Sequence, residues 1–223
     1  LNDVTLNSVS NDGNKPVITA DGQNYTFDAV LYATGRRPNT TNIGLENTDI
    51  TTNERGAIVV NDTCESSVPG VYAVGDVNGG PQFTYISLDD FRIVFGALTG
   101  NGHYTLKDRK NIPYTTFLTP PLARVGLTEE DAINKGYTVK TKEMLVATMP
   151  RAHVNDNLKG AFKIVVDAES NLILGATLYS QSAEELINMI KVAMDNNIPY
   201  TYFKNQIFTH PTMAENLNDL CNF

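Results

Sequence analysis

Two short stretches combine residue types that can do chemistry. One is Thr209-His210-Pro211-Thr212-Met213-Ala214-Glu215. A histidine changes charge near neutrality and can take up or return a proton, and a carboxylate five residues on can orient its ring. Thr212 and Glu215 also have the spacing of a capping box, and Pro211 is an ordinary residue at a helix start. The positive end of that helix would keep the imidazole neutral, as a base must be; a polar surface histidine is the plainer alternative. The other stretch is Val71-Tyr72-Ala73-Val74-Gly75-Asp76, an apolar strand ending in Gly-Asp before a glycine-rich loop and a helix. In open α/β sheets, ligands sit at the carboxyl ends of strands. There Asp76 would meet a ligand hydroxyl, and Gly75 would let backbone come close. The helix start near Thr84 would offer N–H groups to a polar edge. A turn aspartate bonding local backbone is the alternative.

Weaker signals carry less. Gly100-Asn101-Gly102 lacks the third glycine and the preceding strand of a dinucleotide fingerprint. Arg36-Arg37 is a solvated pair or faces a nucleotide phosphate, and His103 and His153 read as loop histidines. Cys64 and Cys221 have no CxxC partner and read as plain thiols, and no metal site is expected.

The elements that must position these residues fall into two textures. Residues 1–9, 15–19 and 25–27 read as three strands of a meander joined by Asn11–Asn14 and Asp21-Gly22 turns. Ala29–Ala33 reads as a buried strand of a parallel sheet, which needs neighbours; none precedes it, so a longer native N-terminus is expected. Residues 40–56 are loop-like, and 57–60 and 71–74 are short apolar strands. Ile86, Ile93, Val94, Ala97 and Leu98 recur at helical spacing up to Gly100. The texture changes between residues 100 and 112. Strands are expected at 115–118, 138–147, 160–166 and 172–179. Helices are expected at 128–135, capped by Thr128 with Asp131, over the 183, 186, 187, 190, 194 stripe, and from about Pro211 to Leu220. That order suggests an antiparallel α+β domain. The stripe and the apolar 172–179 strand suggest a two-fold self-association surface.

At 223 residues the chain can bury a core without disulfide or metal staples. Its net charge of −8 argues against a nucleic-acid partner, and the absence of a long apolar run argues against a membrane span. Two cysteines are too few for a secreted scaffold, so a reducing cytoplasmic setting is the default.

Taken in order, the motifs resemble the flavin-dependent pyridine nucleotide–disulfide oxidoreductases, the family of glutathione reductase, lipoamide dehydrogenase and mercuric reductase. Ala33-Thr34-Gly35-Arg36-Arg37-Pro38-Asn39-Thr40 resembles the turn leaving the NAD(P) domain, and 71–76 the second FAD motif. Val125-Gly126-Leu127-Thr128-Glu129-Glu130 resembles the start of the interface domain, completed by Ile173-Leu174-Gly175-Ala176 and His210-Pro211-Thr212 with Glu215. The resemblance implies an α+β C-terminal dimerisation domain at 108–223. Remnants of α/β domains precede it: the tail of an NAD(P)-binding domain at 1–37 and the second FAD-binding segment at 38–107.

It further implies that Asp76 binds the ribityl chain of FAD, beside Gly75, and that Gln82, Phe83, Thr84 and Tyr85 line the flavin. Gly35 would lie by the nicotinamide nucleotide, NAD or NADP. His210, held by Glu215, would be the acid–base residue serving a thiol pair in the partner subunit of a homodimer, with a small-molecule disulfide or oxidant as substrate. A sharp turn there implies a cis His210–Pro211 bond, with Thr119–Pro120 a second candidate. Gln82-Phe83-Thr84-Tyr85-Ile86-Ser87 and Ile207-Phe208-Thr209 resemble a branch linked to hypohalous-stress defence, including hypothiocyanous acid reductases. The redox pair CxxxxC and both Gly-rich nucleotide motifs are not in these 223 residues. The chain alone is therefore expected to be inactive and to bind FAD weakly or not at all. Two other classes compete: a non-catalytic self-association module, and a one-cysteine flavoprotein oxidase or peroxidase, which usually lacks the His-Pro-Thr element.

Overall fold

Three antiparallel strands open the described chain: β1 (Leu6–Asn11), β2 (Pro16–Ala20) and β3 (Gln23–Thr26), paired in that order. The Asx-Gly turns behave as their chemistry requires. Asn11 and Asp12 side chains accept from the Gly13 and Asn14 N–H groups, and Asp21 takes a positive φ of 48°. The computed structural model describes residues 2–223, so the expected strand start at Leu1 lies outside the described residues. It divides into two compact units, Leu1–His103 and Tyr104–Phe223, each described by itself below.

In the first unit, Ala29–Ala33 is not the buried strand its composition suggests. It forms no regular element, and Leu31 and Tyr32 are 90% and 80% exposed. A strand exists only through hydrogen bonds to a neighbour, and among the described residues none lies alongside. Residues 57–60 and 71–74 likewise fall short of strands and form single bridges, Thr52 to Ile58 and Glu65 to Tyr72, beside separate backbone bonds such as Ala73 N–H to the Cys64 carbonyl. The helix after them does form, as α1 (Thr84–Thr99), closed by Gly100 in the left-handed region.

The second unit is built on a five-stranded antiparallel sheet in the order β4 (Tyr114–Thr116), β5 (Leu122–Gly126), β8 (Ile173–Tyr179), β7 (Ala161–Asp167), β6 (Val139–Leu145). Around it lie α2 (Glu129–Asn134), α3 (Pro150–Val154), α4 (Ala183–Asp195), α5 (Tyr200–Asn205) and α6 (Asn216–Leu220). Strand β5 and helices α3 and α5 were not expected from the sequence. Thr128 caps α2 through a reciprocal pair with Asp131, as its spacing predicts.

Interior strand β7 buries Phe162, Ile164, Val165 and Val166, with Lys163 breaking the apolar run and a register shift between Val165 and Val166. Helix α4 lays Ala183, Leu186, Ile187, Ile190 and Ala193 into the same core. Each large aliphatic side chain so buried contributes roughly 1.5–3 kcal/mol. This corrects the expected role of the stripe. It is consumed by the chain's own core, and the apolar surface α4 leaves exposed is instead Met189 and Val192. The last helix also starts later than its motif suggests. Residues 211–215 form turns, and α6 runs only from Asn216, anchored by buried Leu217, Leu220 and Cys221. Lys142 on β6 closes its far end, donating to the carbonyls of Asp219 (2.7 Å) and Asn222 (2.6 Å). No helix among the described residues is long and apolar enough to cross a membrane.

Gly160 enters β7 with φ +119°, where an added Cβ would run into the Tyr179 carbonyl oxygen on β8. Gly160→Ala is therefore expected to lose at least ~3 kcal/mol of stability in urea denaturation. A loss under ~1 kcal/mol would show that the β7–β8 contact yields more than its geometry allows.

Candidate functional site

The residues singled out from sequence lie in different units, Asp76 in the first and His210 in the second. Asp76 sits on a single 3-10 turn, Gly75–Asn78, that directly precedes the loop into α1. What holds this turn is a residue the sequence reading missed. Asp90, fully buried on α1, accepts from the Gly75 N–H (2.7 Å) and from Asn78 Nδ2 (2.9 Å) through one carboxylate oxygen. Gly75 has φ 74°, and a Cβ there would come 2.5 Å from Ser87 Oγ, so only glycine lets the turn sit this close to α1. The signal for Asp90 was available. It shares an i, i+4, i+7 face with Ile86 and Ile93, where an acid has to have partners.

With the backbone fixed from behind, the Asp76 carboxylate is turned outward, 44% exposed, with Arg36 Nη1 3.2 Å away. A pair this exposed adds little stability; its effect is to keep the carboxylate in one place. Phe83 and Tyr85 stack with centroids 5.1 Å apart at the start of α1, and partial burial pushes the Tyr85 phenol above its ordinary value. Phe83, the N-cap residue of α1, makes no side-chain capping bond. Gln82 is half-buried and Thr84 exposed beside it. An outward carboxylate that accepts, an aromatic pair and the N–H groups of a helix start could hold a polyol chain ending in a flat ring. Gly35 is not brought to this group; it lies in an exposed irregular segment with φ 101°.

In the second unit the structure brings His210 and Glu215 together. His210 Nδ1 is 2.8 Å from Glu215 Oε2. An ionised carboxylate has no proton to give, so Nδ1 carries the hydrogen and Nε2 keeps its lone pair. The other carboxylate oxygen accepts from the Thr212 N–H (3.0 Å), while Glu215 N–H donates to Thr212 Oγ1 (3.2 Å). The reciprocal pair thus braces the turn ahead of α6 rather than its first helical turn. Thr212 Oγ1 also donates to the Thr209 carbonyl (2.8 Å), tying the residues on either side of His210. The His210–Pro211 bond is cis, as is Thr119–Pro120. The histidine side chain is 68% exposed and its partner carboxylate 19%, so the ring faces outward from a held base.

Partial burial alone would push Glu215 up. The hydrogen bond from His210, the Thr212 N–H and, when the ring is protonated, its charge outweigh it and hold the carboxyl below its ordinary value. The two cysteines are poor nucleophiles by contrast. Both are buried, and burial pushes the Cys221 thiol up to about 12, against the opposing charge of Lys142.

A carboxyl whose folded value is depressed favours the fold above its unfolded value, and that contribution is lost as pH falls through the folded one. Wild type minus Glu215→Gln should therefore show a stability gap at pH 7 that closes below about pH 4, read by thermal melts. A gap that persists unchanged at pH 2 would mean Glu215 is not held as a carboxylate. For the first unit, Asp90→Ala removes the acceptor of the buried Gly75 N–H at about 1–3 kcal/mol, while Asn78 Nδ2 keeps the Ala73 carbonyl (3.3 Å). It should speed hydrogen exchange at the Gly75 amide by at least ~10-fold, and an unchanged rate would show that Asp90 does not hold the turn.

The profile of the pyridine nucleotide-disulphide oxidoreductase dimerisation domain matches residues 112–221, and that of pyridine nucleotide-disulphide oxidoreductases matches residues 2–90. The chain is 44% identical to RclA of Escherichia coli K12, described as a probable pyridine nucleotide-disulfide oxidoreductase, over 98% of this chain and 50% of that protein. It is 34% identical to a mercuric reductase of Staphylococcus aureus over 96% of this chain and 40% of that one. The solved structure of the HOCl-induced flavoprotein disulfide reductase RclA from Escherichia coli superposes with TM-score 0.92 at 43% identity, over 97% of this chain and 50% of that one. The chain spans about half the length of the curated relatives it matches.

Proposed function

Since the chain belongs to the pyridine nucleotide–disulphide oxidoreductase family, we propose that it carries the second FAD-contacting segment and the acid–base histidine of a flavoprotein disulfide oxidoreductase. The parent flavoprotein, of which this chain would be the C-terminal half, passes electrons from NADH or NADPH through FAD to a cysteine pair and on to a small disulfide or oxidant. It works as a homodimer in the cytoplasm. In this reading residues 1–37 belong to the NAD(P)-binding domain, 38–107 to the FAD-binding domain and 108–223 to the dimerisation domain.

The observation that carries the reading is the pairing of His210 Nδ1 with Glu215 while the ring itself is exposed. A histidine kept only for packing has no need of a carboxylate that fixes its tautomer. Thiol chemistry does need one, because the thiolate is the reactive form. His210 Nε2 takes the proton from a thiol, Glu215 Oε2 meets the charge that appears on the ring, and the same Nε2 returns the proton to the thiol product. Asp76 binds ribityl hydroxyls, and Gly75 with Gln82, Phe83, Thr84 and Tyr85 forms the protein side of the flavin. Gly35 stays with the nicotinamide nucleotide as a proposal from the family motif alone. When bound, the flavin supplies two-electron transfer between a nicotinamide and a disulfide. A narrower placement, in the branch linked to hypohalous-stress defence, rests on Gln82-Phe83-Thr84-Tyr85 and on the likeness to the HOCl-induced E. coli reductase.

The second reading, a self-association module without catalysis, is favoured by the cysteines. There are two in the sequence, both are buried, and neither can supply the redox pair. The dimerisation-domain match over 112–221 is common to both readings.

Kinetics separate them. In the flavin-loaded parent, His210→Ala should slow turnover with NAD(P)H and a disulfide or oxidant acceptor by ~10²–10⁴-fold, the range of a lost acid–base group, with flavin content and dimer mass unchanged. Asp76→Ala should instead release flavin while leaving the dimer intact. Wild-type turnover in His210→Ala would remove His210 from the chemistry and leave self-association as what the 112–221 domain contributes to the parent.

A further inference from the structure

His210 stands on an exposed loop, yet its ring keeps a defined partner, so something must hold both ends of that loop. The outgoing end is held by Glu215 and by buried Asn216, whose Nδ2 donates to the carbonyls of Thr212 (3.2 Å) and Met213 (3.1 Å). The incoming end, residues 203–206 leading to Ile207, is held from further away. Its carbonyls are gathered by one side chain from α6. Asn218 Nδ2 lies 2.6 Å from Phe203 O, 2.9 Å from Gln206 O and 3.3 Å from Lys204 O. These are the end carbonyls of a short helix and that of the residue after it; Phe203 O also accepts from the Gln206 N–H (3.3 Å). Between the two held ends, Ile207 is 91% exposed and does not fix the loop, while half-buried Phe208 packs against the core.

We infer that Asn218 is a positioning residue for His210: from the helix that presents Glu215, it also fixes the chain that delivers the histidine, so base and carboxylate are placed from one rigid element. The geometry makes α6 a common reference. Glu215 begins it, Asn216 and Asn218 sit on its first turn, and Leu217 and Leu220 root it in the core. A neutral residue of similar size without donors leaves α6 in place and removes the hold on residues 203–206, so that half-buried Phe208 is the anchor left to the incoming chain. His210 then loses its registry with Glu215 although neither residue has changed. The consequence for turnover rests on the proposed acid–base role, but the placement does not.

The test reads the ring directly. In the 223-residue chain labelled with ¹⁵N-histidine, at a pH where the ring is neutral, the three histidines are resolved by two-bond ¹H–¹⁵N correlation. Wild type should show His210 mainly as the Nδ1–H tautomer. Asn218→Leu should lower its Nδ1–H to Nε2–H ratio by about fivefold, the factor for one typical hydrogen bond, and Asn218→Ser, with one short donor, should fall between. Asn205→Ala removes a comparable amide-to-carbonyl bond on α5, from Asn205 Nδ2 to Thr201 O at 3.0 Å. It should lower the melting temperature without moving the ratio. A wild-type ratio in folded Asn218→Leu, or in Asn218→Ser if the leucine variant does not fold, would overturn the inference and leave Asn218 a plain helix cap. Loss of the acid–base reading would show separately, as wild-type turnover in His210→Ala with the tautomer shift in Asn218→Leu still present.

Discussion

The Glu215 carboxylate is the point on which the candidate chemistry depends. One oxygen faces the histidine ring and the other holds the Thr212 amide, so ring orientation and turn geometry are set together. Charge-assisted bonds of this kind are about twice as strong as neutral ones. The same bonds keep the carboxyl ionised, against the burial that would protonate it. A protonated Glu215 would lose one acceptor and let the ring take either tautomer.

That local arrangement is only as rigid as α6, and α6 draws its rigidity from the sheet. Leu217, Leu220 and Cys221 enter the core beside β6 and β7, and Lys142 ties down the far end. Burial thus does the energetic work, and a few hydrogen bonds convert it into the position of one imidazole. The first unit follows the same plan with another device. There a buried aspartate, Asp90, holds the Gly75–Asn78 turn from inside and leaves Asp76 facing out. In both places the exposed polar group is the visible end of a buried polar contact.

Much of this was legible in the sequence. The 183–194 spacing became α4, the Thr128–Asp131 pair capped α2, and the Asx-Gly turns closed the meander. These features have local causes, and local causes leave a local pattern. What was misread depends on neighbours. Ala29–Ala33 has the composition of a buried strand but no partner to bond among the described residues. The Thr212–Glu215 spacing serves a turn as well as a helix, so it could not place the start of α6. The α4 stripe could face a second copy or the chain's own sheet with equal periodicity, and it faces the sheet. Asn218 left no trace at all, because its partners are carbonyls, which every residue carries.

The central proposal is that His210, held by Glu215, is a base, and the family resemblance implies that it serves a site shared between two subunits. Hybrid dimers of the flavin-loaded parent test it most directly, with His210→Ala on one subunit and serine for the redox cysteine pair on the other. The cysteine variant alone is expected to be inactive and His210→Ala alone slowed ~10²–10⁴-fold. If the histidine serves its partner, one of the two sites in the hybrid joins an intact histidine to an intact cysteine pair, and about half of wild-type turnover returns. If hybrid dimers stay as inactive as either variant, His210 does not work across the interface, and the account of a shared site is wrong.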